Sequence, residues 1–175
     1  MDKLSLNTIQ DRLMKRIRFL LIFFMIALAL SGITAIPLIW EIELLNHFFG
    51  TGSFTSQFWP GMSQWITFIY QGLTTTNQSY PFIQYGTDWL AFAHIVIAIA
   101  FLGPLRDPVR NIWVVEFGLI ACVLIIPTAV FFGALRGIPV FWRIIDCSFG
   151  VFGFIPLWIV RRDILALMNA VNQGG

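Results

Sequence analysis

The side chains of this chain that could do chemistry are few, and most of them stand among apolar neighbours. Asp88, His94, Glu116, Arg143 and Asp146 lie at the start of, or inside, long apolar runs. An ionisable group in such a run costs several kcal/mol unless it is paired or solvated, so each is a candidate for function. On helices rising 1.5 Å per residue from the ends that carry the clustered cations, Asp88 and Arg143 come at about 25 Å, Asp146 at about 21 Å, His94 at about 16 Å and Glu116 at about 8 Å. Arg143, Asp146, Cys147 and Gly150 share one helix face, and Ala91, His94 and Ala98 share another. Small residues let helices approach closely. If these faces meet, Asp88, His94, Arg143 and Asp146 line one polar pocket in the outer half. Its imidazole would carry protons near neutral pH and its charged groups would orient the ring.

Each of these residues also has a purely structural use. Arg143 and Asp146 are three apart, a spacing that allows a local ion pair. Asp88 suits the N-cap of a helix, and His94 can bond a neighbouring carbonyl. Glu116 is expected to pair with Arg106 or Arg110 in a short connection, making these three residues structural ion-pair candidates. Metal and cofactor readings have less support, and neither is expected. Haem b between facing helices needs two axial ligands. His47 would have to reach inward to join His94. Cys122 and Cys147 read as small packing residues, and a zinc site needs more converging ligands. No nucleophile elbow, Walker motif, HExxH or dinucleotide fingerprint occurs.

The elements that must hold these residues follow from composition. The chain has 175 residues, 58% hydrophobic and 11% charged, against about a quarter charged in soluble domains. A net charge of +2 and two cysteines argue against a nucleic-acid partner working through a basic patch and against a disulfide framework. The apolar residues gather into four runs long enough to cross a hydrocarbon core of about 30 Å, and strict alternation is absent. The expected fold is an all-α integral membrane protein, a four-transmembrane-helix bundle. Its segments are a cytoplasmic amphipathic N-terminus at 1–18, spans at 19–40, 88–105, 111–135 and 139–160, and a cytoplasmic tail at 161–175.

Lys3, Arg12, Lys15, Arg16, Arg18, Arg106, Arg110, Arg161 and Arg162 fall on one side of this topology. Only Arg136 and Arg143 fall on the other, and residues 41–89 contain no Lys or Arg. By the positive-inside rule both termini are cytoplasmic, in the cell (inner) membrane. A cleaved signal peptide is the competing use of the first run, with Ala29-Leu30-Ser31 as its site, but the run continues to Trp40.

Residues 41–87 form an outer aromatic cap. Ile42, Leu45, Phe48 and Phe49 recur at helical spacing, as do Met62, Trp65, Ile66, Ile69 and Leu73. These predict short interfacial helices between the first two spans. With no catalytic constellation, the expectation is an accessory or assembly subunit, or a binder of a lipid-like ligand. The bilayer and either other membrane subunits or a second copy would be its partners. The alternatives are a small transporter or membrane-embedded enzyme using His94, Asp146 and Arg143, and a haem or quinone subunit of a respiratory complex.

Overall fold

The computed structural model describes the backbone of residues 3–174 and the side chains of residues 8–170. Lys3, and the outermost parts of the N-terminal segment and the tail, lie outside the described side chains. The protein is all-helical, 88% helix with no strand among the described residues. In chain order the helices are α1 (Lys3–Thr34), α2 (Leu38–Phe49), α3 (Pro60–Ser79), α4 (Tyr85–Ala100), α5 (Leu102–Arg106), α6 (Ile112–Leu135) and α7 (Val140–Gly174). Short 3-10 turns at Phe54–Gln57 and Pro81–Gln84 bracket α3. Four stretches are long and apolar enough to cross a membrane: Thr8–Thr34, Pro81–Arg106, Ile112–Leu135 and Val140–Ala170.

The boundaries depart from hydropathy where backbone hydrogen bonding decides. The first span was expected to reach Trp40, yet α1 stops at Thr34. Pro37 has no N–H to give and its ring crowds the carbonyl four residues back. The chain turns through Ala35 N–H to the Gly32 carbonyl (3.1 Å) and Ile36 N–H to the Ile33 carbonyl (3.2 Å), and α2 starts at Leu38. The third span begins at Ile112, within a residue of expectation. It ends where Gly137, at φ +71°, lets Ile138 N–H reach the Gly133 carbonyl at 2.9 Å, a left-handed cap that glycine enters freely. The stretch from residue 161, expected to be a cytoplasmic tail, continues α7 as far as Gly174, so that this helix runs 35 residues, about 52 Å at 1.5 Å each. Nothing after Val160 breaks it, and its buried face continues through Leu157, Val160, Ile164 and Leu167.

Two units make up the chain. The first comprises 1–27 and 98–175. Its core is Ile17 and Leu21 from α1, Phe101 and Val115, and Leu157, Val160 and Ile164 from α7, all fully buried. Phe24 packs on Phe101 with ring centroids 4.8 Å apart. Asn111 closes the connection between α5 and α6, its amide donating to the carbonyls of Asp107 (2.9 Å) and Gly103 (3.2 Å). The second unit comprises 28–97. It contains both cap helices predicted from periodicity, now α2 and α3, with Ile42 and Ile66 buried. Pro60 occupies the first turn of α3, where a missing N–H costs nothing.

Candidate functional site

In the second unit, Asp88 sits in the first turn of α4 rather than at its N-cap, because the helix already begins at Tyr85. The positive end of the helix dipole still favours an acid there. Asp88 is exposed and makes no hydrogen bond or ion pair among the described residues. His94 is half-buried, and its Nδ1 donates to the Leu90 carbonyl at 2.8 Å. The imidazole is thereby tied to its own helix, leaving Nε2 as the available ring nitrogen. Gly32 of α1 lies against this stretch of α4: a Cβ there would stand 2.6 Å from His94 Cβ and 3.0 Å from the Ala91 carbonyl oxygen. Ala91 and His94 thus form a packing face toward Gly32 of α1. His47, on α2, stacks edge-on to Phe48 with centroids 5.0 Å apart.

In the first unit, Arg143 forms no ion pair with Asp146. Its Nη1 donates to the Val130 carbonyl of α6 at 3.3 Å, and its stem lies over Gly133. A Cβ at Gly133 would come within 2.5 Å of Arg143 Cδ. Arg143 Nε is buried with no partner. Asp146 is half-buried and makes no hydrogen bond or ion pair among the described residues. One turn of α7 beyond Asp146, Gly150 lies against α6 so closely that a Cβ would stand 2.5 Å from the Cys122 carbonyl oxygen. One at Gly153 would stand 2.9 Å from Cys122 Sγ. The small face of the fourth span is therefore a close seam with the third. Cys122 and Cys147 are both free thiols.

Glu116 requires a correction. Its carboxylate is bound not by Arg106 or Arg110 but by Arg161 of α7, Nε to Oε1 at 2.9 Å. The packing of α6 on α7 places residues 45 apart in sequence side by side, whereas the connection folds on itself, Asp107 Oδ1 accepting from Arg110 N–H at 3.0 Å. The Glu116–Arg161 pair stands at one end of an open groove of about 430 Å³, lined by Leu119, Ile120, Val123, Leu124, Phe154 and Trp158. The last two stack face to face, centroids 5.8 Å apart and planes 14° apart. A smaller recess of about 210 Å³ shares Val123 and Phe154 and is lined further along by Ile126, Gly150, Val151 and Ile155. The surface can hold an apolar chain and present opposite charges to its polar end.

Sequence reasoning missed the most deeply buried charge. Asp163 receives Arg16 Nε and Nη2 on its two carboxylate oxygens, and Arg162 Nε approaches to 3.8 Å. The signal was available: Asp163 lies three residues from Val160 and beside Ile164, on the face that continues the fourth span inward. Among the described residues no three His, Cys, Asp or Glu side chains group to hold a metal ion. Comparisons with protein-family models, with curated proteins and with solved structures each return no match.

Proposed function

We propose that this chain is a multi-pass integral protein of the cell (inner) membrane with both termini cytoplasmic. On this reading it acts without catalysis of its own, as an accessory or assembly subunit or as the binder of a lipid-like ligand. One observation carries the reading. Large apolar side chains are exposed along every spanning stretch, among them Phe19, Phe23, Trp89, Phe92, Ile120, Phe131, Phe149 and Phe152. Within each apolar window only 17–22% of the residues are buried by the protein itself. Monomers in water rarely tolerate apolar patches beyond a few hundred Å², and hydrocarbon is the medium that covers such a surface.

The polar groups fit the same reading. Arg16, Glu116, Arg161, Asp163, His94 and Arg143 are each engaged by a partner within the chain. Alkaline carbonate washing of membranes should leave the protein in the pellet, and release into the supernatant would overturn the reading. After purification in mild detergent, the protein should retain a partner subunit or bound lipid. A bare monomer would remove support for the accessory or binding role.

The transporter or membrane-enzyme reading rests on Asp146, a half-buried acid in a spanning helix with no partner among the described residues. On that reading His94→Phe and Asp146→Asn each abolish proton-coupled activity in vesicles while expression holds. Equal loss of expression in both would return these residues to a structural role.

A further inference from the structure

We infer that the groove between α6 and α7 binds a phospholipid with a phosphoethanolamine headgroup, its ammonium on Glu116, its phosphate on Arg161 and one acyl chain along the apolar seam. This rests on the membrane reading above. Three observations within the first unit carry it. The first is the form of the ion pair: it is made through Nε alone. Both terminal amino groups of the Arg161 guanidinium, and Glu116 Oε2, are therefore without a hydrogen-bond partner among the described residues. A guanidinium fork is suited to phosphate, and a carboxylate retains several acceptor sites for a primary ammonium. The side chains are 42% and 33% exposed for Glu116 and Arg161, so a headgroup can reach them.

The second is depth. Glu116 lies one turn into α6, next to the connection that begins at Asp107. That is headgroup level, with the groove leading away into the span. The third is length. From Glu116 to Ile126, the far end of the adjoining recess, α6 rises about 15 Å, half of a hydrocarbon core of about 30 Å. The apolar track is one leaflet long and begins at two adjacent opposite charges, which match a zwitterion. An anionic headgroup would meet the Glu116 carboxylate with repulsion. A trimethylammonium has no N–H to donate to it.

The test is native mass spectrometry of the full chain released from vesicles of dioleoyl phosphatidylethanolamine, phosphatidylcholine and phosphatidylglycerol in equal parts. The ethanolamine lipid should be enriched on the protein about three- to tenfold over the choline lipid, the scale of one or two hydrogen bonds at such a site. The double variant Glu116→Gln, Arg161→Gln should lose that preference. Should it fail to fold, Ile120→Trp fills the groove while keeping both charges, and should displace bound lipid of all three kinds. An unchanged ethanolamine preference in either folded variant overturns the inference. So does enrichment of the glycerol lipid, or a dimer with no lipid bound. Protein that inserts and binds no lipid overturns the inference alone, and protein that does not insert overturns the membrane reading with it.

Discussion

Asp163 is the one buried charged side chain among the described residues, its side chain 2% exposed, and it is held by Arg16, which is 47% exposed. Removing the main partner of a buried charge costs more than the pair contributes, because the remaining ion loses its hydrogen-bonded counter-charge and keeps only Arg162 Nε at 3.8 Å. Arg16→Ala is therefore expected to lower stability by about 3 kcal/mol, and Arg16→Gln with Asp163→Asn to recover part of it, as read by thermal unfolding in detergent. The Glu116–Arg161 pair is more open to its surroundings, and Glu116→Gln should cost about 1 kcal/mol or less. The glycines divide in the same physical way. An added methyl at Gly150 meets a backbone carbonyl at 2.5 Å, whereas one at Gly118 meets the ends of the Leu157 and Phe101 side chains at 2.7 and 2.8 Å. Gly150→Ala should then cost about 1–3 kcal/mol and Gly118→Ala distinctly less, since side-chain ends can move and the helix backbone cannot. The importance of Gly150 was legible in the sequence, as part of a small face. The partner of Glu116 was not: nearby Arg106 and Arg110 were the natural choice, and only helix–helix packing brings Arg161 alongside.

At the scale of elements, the cap helices α2 and α3 are joined by a polar stitch. Thr67 Oγ1 donates to Asn46 Oδ1 at 2.8 Å and accepts from Thr51 N–H at 2.9 Å, with Thr51 Oγ1 a further 3.2 Å away. Gly50 closes the bend, where a Cβ would stand 2.2 Å from Asn46 Oδ1. Thr67→Val keeps the shape and deletes these bonds, so amides of residues 46–67 should exchange with deuterium faster by about tenfold, the effect of roughly 1.4 kcal/mol of local opening. Unchanged exchange would mean that apolar contacts alone hold the hairpin. Both cap helices could be read from 3.6-residue periodicity, because their apolar faces repeat cleanly. The end of α1 could not be read from hydropathy, since Ile36, Leu38 and Ile39 are as apolar as the helix before them. What stops α1 is the absent N–H of Pro37. The same summing of hydropathy ended the fourth span at Val160, before Arg161 and Arg162, though on the packed face α7 continues through Asp163 and Ile164 to Leu167.

Across the whole molecule the decisive balance is between apolar surface and the medium that covers it. The exposed side chains of the four long apolar stretches leave most of each apolar window outside the protein core. Within those stretches Arg16, His94, Glu116, Arg143, Arg161 and Asp163 are held by side-chain partners or by carbonyls, whereas Asp88 and Asp146 make no hydrogen bond or ion pair among the described residues. On the proposed reading, four crossings would put both ends of the chain on one side of the bilayer and residues 41–87 on the other. The most direct test starts from Cys122→Ala, Cys147→Ala protein carrying one new cysteine, Asp11→Cys, Gln173→Cys or Gly52→Cys, in sealed inside-out and right-side-out vesicles treated with a membrane-impermeant maleimide. Asp11→Cys and Gln173→Cys should label together from the cytoplasmic face, and Gly52→Cys only from the other. Labelling of positions 11 and 173 from opposite faces, or of all three from both, would contradict a chain that crosses the bilayer four times.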